Sequence, residues 1–278
     1  MKILVIGASG LLAKPVIRKL DEAGFELRLF SRSLDPSMFT GDYDFVRGDL
    51  FSRGDLEKAM DGCDAVHISV STPDERKSTE AIVNMAKEKQ VKGISMISGC
   101  TVRQENRWFK FTDNKFLAEQ LILNSGIPYL IFRPTWFFES LELMVRQGRA
   151  IIPGRQPNPY HWVAAEDLGR MVANAYSREE TKNGIYYVYG PESYRMKELL
   201  EKYCRVLHPG IKRVSESPLF IIRTLAFLKG RRSLKEVAAL FAYFQKVKEP
   251  EIPPGELSRL GKPEINFSTW VEAKKSGE

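Results

Sequence analysis

The feature that most constrains the fold is the segment GASGLLA at residues 7–13, which directly follows the apolar run ILVI at 3–6. It places Gly7, Gly10 and Ala13 three residues apart, ahead of a helical pattern of apolar residues. The first glycine allows a tight turn, the second lets backbone N–H groups approach a pyrophosphate at the helix N-terminus, and the small third residue allows close helix–strand packing. The sequence therefore predicts a dinucleotide-binding turn formed by Gly7, Ser9, Gly10, Leu11 and Leu12.

Further apolar runs of strand length follow, with helical patterns between most of them. The strand-like runs lie at 26–30, 45–49, 65–70, 93–98 and 128–133, and the clearest helical patterns lie at 74–90 and 112–124. Strands that alternate with helices indicate an α/β protein with a parallel sheet covered on both faces. We predict a Rossmann-type doubly wound sheet of about seven strands.

The alternation loosens after Pro134, and from residue 195 onward the pattern is mostly helical. A chain of 278 residues is long for one compact domain, so a second lobe is expected. We expect an NAD(P)-binding domain at 1–150 with a helix at 162–177 packing back on it. Residues 151–161 and 178–278 would then form a small, mostly helical lobe for a substrate or a partner.

The end of the second strand bears on which dinucleotide would bind. Ser31 and Arg32 follow Phe30, and no carboxylate stands where an NAD-binding protein usually offers one to the ribose. The planar guanidinium of Arg32 suits a 2′-phosphate, with Ser31 as a further donor. NADP(H) is therefore favoured over NAD(H), although a plain surface arginine is the alternative interpretation.

Two other strand ends supply candidate cofactor contacts. GDL at 48–50 ends the third strand, where Asp49, beside Leu50, could accept from the adenine amino group or could instead cap a helix. The fourth strand ends in Ser69, Val70 and Ser71, whose small side chains would let the backbone pass beneath the cofactor ribose.

Composition narrows the class of protein. Forty-two Lys and Arg against 35 Asp and Glu give a formal charge of +7, but the basic residues are spread along the chain, so a nucleic-acid partner is not expected. The densest basic cluster, Lys229, Arg231, Arg232 and Lys235, is interpreted as a solvated helix face. No apolar run is long enough to predict a membrane span. Three widely separated cysteines without metal or redox-pair spacing favour a reduced, cytoplasmic setting and no metal site.

Several segments together resemble one protein family. GASGLLA, GDL, SGCTV, NKFLAEQLILNSGIPYLIFRPTWFFE, WVAAEDLGRMVANA and YVYGPE are similar to an atypical short-chain dehydrogenase/reductase of the NmrA-like group. The resemblance extends from residue 3 to about 190. It implies a Rossmann-type NAD(P)-binding fold whose members are reductases, epimerase-like enzymes or redox sensors.

At one position the chain departs from catalytically typical short-chain dehydrogenase/reductases, as the resemblance to the NmrA-like group implies, since that group often lacks the tyrosine and keeps the lysine. In typical members a serine ends the fifth strand, and thirteen residues later Tyr-x-x-x-Lys begins; here these positions hold Ser98, Phe111 and Lys115. Residues four apart on a helix share a face, so the pair would still face the cofactor together. The phenylalanine keeps the ring but loses the proton that a general acid needs. The resemblance implies Lys115 as a cofactor-ribose ligand first and a proton donor second, whereas a solvated helix lysine is the alternative.

Substitutes for the missing acid are few. His161 follows Tyr160 where related proteins shape the substrate side, although a lone histidine is more often structural. The resemblance also places Pro134 and Trp136 beside the nicotinamide. Phe137, Phe138 and Trp162 would extend an apolar pocket wall, or would simply form core.

Three functions follow from these observations. The first is an NADP(H)-dependent oxidoreductase that acts on a small apolar substrate without the usual catalytic tyrosine. The second is a non-catalytic NADP(H) redox sensor that acts through a protein partner. The third, ranked last because it too normally needs the tyrosine, is a sugar-nucleotide epimerase-like enzyme.

Overall fold

The structure is a computed structural model that describes residues 1–70, 74–228, 232–252 and 260–277. Ser71, Lys229 and Arg231 therefore lie outside the described residues. In chain order the helices and strands are β1 (Lys2–Ile6), α1 (Ala13–Glu22), β2 (Glu26–Ser31), β3 (Asp44–Arg47), α2 (Arg53–Met60), β4 (Ala65–Ile68), α3 (Glu75–Glu88), β5 (Gly93–Ile97), α4 (Lys110–Leu123), β6 (Tyr129–Pro134), β7 (Val145–Arg146), β8 (Arg149–Pro153), β9 (Tyr160–Trp162), α5 (Ala165–Tyr176), β10 (Gly184–Val188), β11 (Glu192–Tyr194), α6 (Met196–Leu207), β12 (Val214–Ser217), α7 (Leu219–Leu228), α8 (Arg232–Phe244) and α9 (Phe267–Ser276).

The chain divides into two compact units. The first unit comprises Met1–Pro134, Ala165–Val188 and Ile252–Lys262, and the second comprises Thr135–Ala164, Tyr189–Glu251 and Pro263–Glu278. The boundary expected after residue 150 lies inside the second unit of this division. The assignment of cofactor and substrate roles to separate domains stays a prediction.

A seven-stranded parallel sheet forms the first unit, in the order β10-β6-β5-β4-β1-β2-β3. The prediction of a Rossmann-type doubly wound α/β fold is therefore confirmed. The strand order reverses at β1, which pairs with β2 on one side and β4 on the other. In such sheets the crevice beyond the carboxyl ends of the strands at this reversal is where ligands bind.

Burial explains why the strands of this unit are continuous apolar runs. Ile3, Leu4, Val5 and Ile6 of β1 have no exposed surface, because helices cover both faces of the sheet. On one face α5 packs against α1 so closely that a Cβ on Gly169 would lie 2.6 Å from the Pro15 carbonyl oxygen.

A small cluster of polar side chains around His67 lies within this core. His67 on β4 is fully buried, and its Nδ1 lies 2.6 Å from the Ser95 hydroxyl, which also contacts the Tyr176 hydroxyl at 2.6 Å. Burial lowers the pKa of His67 to about 3, so the ring is neutral at physiological pH.

The second unit has its own aromatic core. Small sheets formed by β12-β8-β7 and β11-β9 pack with helices α6, α8 and α9. Phe138 and Trp162 are fully buried in this core, and Trp136 stacks on Trp162 with ring centroids 5.7 Å apart. The interpretation of Phe138 and Trp162 as a pocket wall is therefore wrong, because their surface is used in packing. Among the helices of the described residues, none has the length and apolar character needed to cross a bilayer.

Candidate dinucleotide site

The turn after β1 is shaped by one close approach. Gly7 has φ +84°, and its N–H donates to the Phe30 carbonyl at 2.9 Å. A Cβ on Gly7 would lie 2.4 Å from the Ser69 carbonyl oxygen, a distance that no larger residue could accept without moving β1 or β4. The turn closes with a Gly10 N–H bond to the Gly7 carbonyl at 2.9 Å. The chain then enters α1, whose N-terminus has no side-chain cap and whose positive dipole end suits an anion.

A cavity of about 500 Å³ lies beyond the carboxyl ends of β1, β2 and β4. Most of the predicted cofactor residues line it: Gly7, Ser9, Gly10, Ser31, Arg32, Asp49, Leu50, Ser69 and Val70. Seven further residues line the cavity that the sequence did not predict: Ile6, Phe30, Ser33, Gly48, Phe51, Asp74 and Ser78. Leu11, Leu12, Lys115, Pro134 and Trp136 are not among its lining residues.

Hydroxyl groups and a guanidinium meet at the end of β2. The Ser9 hydroxyl lies 2.7 Å from the Ser31 hydroxyl and 3.2 Å from that of Ser33. Arg47 Nε donates to the Arg32 carbonyl at 2.9 Å, so a second arginine holds the backbone of Arg32. Three hydroxyls and an arginine that line one cavity form a set of donors that suits a phosphate group. Ser33 lies two residues after Ser31, and this spacing could have predicted that both serines reach the same site.

The Asp49 carboxylate lies in the wall of the same cavity. Its Oδ1 accepts from the Phe51 N–H at 2.9 Å, which forms a local turn. The N-cap of α2 is Ser52, whose hydroxyl accepts from Asp55 N–H, so the capping alternative for Asp49 is wrong. Its expected contact with adenine stays a prediction.

Lys115 is buried, and its partner is a carboxylate that the sequence analysis did not single out. Lys115 Nζ donates to Glu75 Oε1 at 2.7 Å and lies 3.5 Å from the Ile97 carbonyl oxygen. Both side chains of the ion pair are almost fully buried, so the alternative of a solvated helix lysine is wrong. The Phe111 ring centroid lies 5.5 Å from Lys115 Nζ, as expected for residues four apart on α4.

A second buried ion pair lies one turn further along α4. Arg133 forms two hydrogen bonds to Glu119, at 2.5 and 3.1 Å, and a third to the Tyr187 hydroxyl at 3.0 Å. Burial raises the pKa of Glu75, the Lys115 ammonium opposes this shift, and the negative charge of Glu119 adds to it. Two cations and two carboxylates thus balance in the interior of the first unit.

Two buried oxygens near the Lys115–Glu75 ion pair have no hydrogen-bond partner among the described residues. They are Glu75 Oε2 and the hydroxyl of Ser98, which directly follows the Ile97 carbonyl that Lys115 approaches. Buried polar atoms are nearly always paired, so unpaired ones indicate a place where a ligand or water supplies the partner. The catalytic role expected of Ser98 stays a prediction.

In the second unit, His161 is held by a carboxylate. Its Nδ1 lies 2.5 Å from Glu249 Oε2, and its backbone N–H donates to the two oxygens of that carboxylate at 3.0 and 3.1 Å. The Thr135 hydroxyl donates to Glu249 Oε1 at 2.6 Å, and the Tyr189 ring stacks on the imidazole with centroids 5.8 Å apart. The hydrogen bond to Glu249 raises the pKa of His161. This arrangement fixes the orientation of the ring through Nδ1.

The chain is similar in sequence to known proteins over most of its length. The chain is 22% identical over 245 residues to the photosystem II assembly factor Ycf39 of Trieres chinensis, covering 83% of this chain and 76% of the relative. It is 24% identical over 273 residues to the (4-alkanoyl-5-oxo-2,5-dihydrofuran-3-yl)methyl phosphate reductase of Streptomyces griseus, covering 96% of both chains.

The fold is similar to that of the Citrobacter sp. triphenylmethane reductase complexed with NADP(H). The TM-score is 0.77 at 19% identity, over 98% of this chain and 99% of that one. Residues 7–178 match the NAD(P)H-binding family model, a span that contains the Gly7 turn, the cavity residues and Lys115. The chain thus belongs to the NAD(P)H-binding family, within the atypical, NmrA-like short-chain dehydrogenase/reductase group, and its cofactor is a nicotinamide dinucleotide.

Proposed function

We propose that the protein is an NADP(H)-dependent oxidoreductase that acts on a small, largely apolar substrate. The observation that carries the proposal is the set of donors at the end of β2: Arg32 with the hydroxyls of Ser9, Ser31 and Ser33 in one cavity wall. The bound nicotinamide would supply the hydride. The similarity to a reductase over nearly the whole chain supports an oxidoreductase.

The preference for NADP(H) follows from charge. A 2′-phosphate carries negative charge, which the Arg32 guanidinium neutralises through charge-assisted hydrogen bonds. A ribose that lacks this phosphate is usually held by a carboxylate at the same strand end. Here β2 ends in Phe30 and Ser31, and Arg32 and Ser33 follow.

Lys115 is proposed to bind the nicotinamide ribose while it stays paired with Glu75. An ammonium has three donors, and Glu75 Oε1 and the Ile97 carbonyl engage two of them. The third donor, together with the unpaired Ser98 hydroxyl, is then available to a ribose or substrate oxygen.

His161 is proposed as the proton donor, with Lys115 as the second candidate. Phe111 has no exchangeable proton, so the phenol of the usual mechanism is missing. Glu249 stabilises the imidazolium and leaves Nε2 to exchange the proton, the arrangement found wherever a base is oriented by a carboxylate. Glu249 would act as a positioning residue, since it holds His161 through the ring Nδ1 and the backbone N–H.

The second candidate function is a non-catalytic NADP(H) sensor that acts through a protein partner. The observation in its favour is that Lys115 is committed to Glu75 while Phe111 replaces the acid. The similarity to an assembly factor agrees with this candidate. An epimerase-like activity stays last, because it too needs the missing phenol.

The first prediction concerns cofactor selectivity. Arg32→Ala should weaken NADPH binding at least about tenfold and leave NADH binding unchanged, because each charge-assisted hydrogen bond contributes roughly 1.5–3 kcal/mol. Isothermal titration of both cofactors measures this. Arg53→Ala, which removes an exposed arginine paired with Glu88, is the matched control and should change neither affinity. An unchanged preference for NADPH in Arg32→Ala would exclude the phosphate role.

The second prediction separates the two roles of Lys115. Lys115→Met leaves the Glu75 charge buried and unpaired, so the free energy of unfolding should fall by about 3–5 kcal/mol. Adding Glu75→Gln should restore most of this stability but should not restore NADPH affinity, because the ribose ligand is still absent. Urea unfolding and NADPH titration measure the two quantities, with Lys87→Met on the surface of α3 as the control.

If the double variant regains both stability and NADPH affinity, Lys115 is only the partner of Glu75 and the ribose role is wrong.

The third prediction concerns Phe111. Phe111→Tyr should change carbonyl reduction by less than about tenfold, whereas restoring a functional general acid would add about 10² or more. The reason is that Lys115 is held by Glu75 and would not lower the pKa of a new phenol. Single-turnover NADPH oxidation by parent and variant, with matched quinones, enones and aldehydes, tests this and the proposed activity together.

A large gain confined to aldehydes would identify the protein as a carbonyl reductase that has lost its acid. No oxidation of NADPH by the parent with any of these substrates would favour the sensor.

The fourth prediction is a pH dependence. A rate that needs protonated His161 is maintained below the pKa of this residue and falls as the pH rises through it. Glu249→Gln removes the interaction that raises this pKa, so the fall in rate should move to lower pH. In His161→Gln this pH-dependent fall should disappear. Glu251→Gln, two residues away, is the control. An identical pH–rate profile in Glu249→Gln and the parent would rule out His161 as the acid.

A further inference from the structure

Helix α7 is apolar in sequence yet exposed. Eight of its ten residues, LFIIRTLAFL, are apolar, and none of its described side chains is buried. Phe220 is 68% exposed and Phe227 is 75% exposed, and Ile221 and Leu225 are exposed as well. Of the twelve exposed large apolar side chains among the described residues, four therefore lie on these ten residues. Leu219 and Ile222 are half-buried, but Phe220, Ile221, Leu225 and Phe227 have no cover in the described part of the chain. Exposed apolar side chains clustered in this way usually mark a surface that binds a partner or a membrane.

The charge of the chain is concentrated around the same helix. Residues 212–248 hold nine of the 42 basic residues but only two of the 35 acidic ones, so the rest of the chain has 33 of each. Basic residues occur along the whole chain, but this segment accounts for their whole excess over the acidic residues. Among the described side chains, Arg223 on α7 and Arg232 and Lys235 on α8 are exposed, with Arg232 paired to Glu236 on the same helix. The interpretation of the basic cluster as a plain solvated face leaves this combination unexplained.

We propose that the exposed side of α7, with the basic residues Arg223, Arg232 and Lys235, is a docking surface for a membrane that contains anionic lipids. Phe220 and Phe227 would enter the boundary between headgroups and acyl chains, and the basic side chains would lie at the level of the lipid phosphates. Exposed aromatic residues combined with Lys and Arg are what interfacial helices use to lie in the plane of a bilayer. This contact needs no spanning helix.

Charge decides between a membrane and a second copy of the chain. A dimer through this surface would bring together two segments that each have a net charge of +7, and like charges repel across an interface. An anionic lipid surface instead attracts the same charges and covers the apolar side chains at once. The electrostatic part of the binding should therefore weaken as salt is added.

Co-sedimentation of the full chain with lipid vesicles tests the proposal. The parent should pellet with vesicles of phosphatidylcholine mixed with phosphatidylglycerol, but not with phosphatidylcholine alone, and pelleting should decrease at high salt. Phe220→Ser with Phe227→Ser should reduce the partition coefficient about tenfold or more, because two aromatic side chains no longer leave water. Arg223→Gln and Lys235→Gln should each reduce it about fivefold.

Leu143→Ser is the matched control, since Leu143 is 63% exposed in the same unit but lies outside α7 and α8. Thermal unfolding of each variant checks that the fold is kept, which is expected for exposed positions. Three results would each overturn the proposal: no pelleting of the parent with anionic vesicles, equal pelleting with both kinds of vesicle, or an equal loss in Leu143→Ser. A parent dimer in sedimentation velocity that dissociates in Phe220→Ser/Phe227→Ser, without vesicle binding, would assign the surface to a second copy instead.

Discussion

The close approach of Gly7 to the Ser69 carbonyl is the constraint on which the cofactor site depends. It brings the ends of β1 and β4 together, where a Cβ would lie 2.4 Å from a backbone oxygen. The tight turn that results directs the N-terminus of α1 toward the crevice at the reversal of strand order. The cavity, the helix N-terminus and the serine cluster are all consequences of how the chain leaves β1 and β2.

Buried charge is the second organising feature of the first unit. Lys115 and Glu119 lie one turn apart on α4 and pair with Glu75 and Arg133, respectively. Taking four charged groups out of water is costly, and it is tolerated when each charge has a partner with good geometry. The pairing fixes Lys115 at a defined position, yet it leaves Glu75 Oε2 and the Ser98 hydroxyl without partners among the described residues. A rigid site with unused hydrogen-bonding capacity is what binding of a polar ligand requires.

Local patterns predicted the fold well, because parallel strands buried on both faces stay apolar throughout and helices keep their period. The helix expected at 74–90 spans Glu75–Glu88, and the one expected at 112–124 spans Lys110–Leu123. The glycine spacing likewise predicted the turn. The partners of the charged groups could not be predicted, because Glu75 lies 40 residues from Lys115 and Glu249 lies 88 from His161. Glu75 opens a helix among other charged residues, where a carboxylate is usually explained by the helix dipole.

The roles of the aromatic residues could not be predicted from the sequence either. Trp162 and Phe138 were candidates for a pocket wall or for core, and composition could not choose between these roles. Packing decided it, since both are fully buried among α6, α9 and the small sheets. Helix α7 is the reverse case: its apolar sequence predicts burial, whereas four of its large apolar side chains are exposed.

A crystal structure of the protein with NADP⁺ tests the central claim most directly. We expect the pyrophosphate at the Gly7–Gly10 turn and the 2′-phosphate within hydrogen-bonding distance of the Arg32 guanidinium and the serine hydroxyls. We also expect Lys115 Nζ to contact both Glu75 and the nicotinamide ribose. A 2′-phosphate that points into solvent away from Arg32, or a ribose out of reach of Lys115, would contradict it.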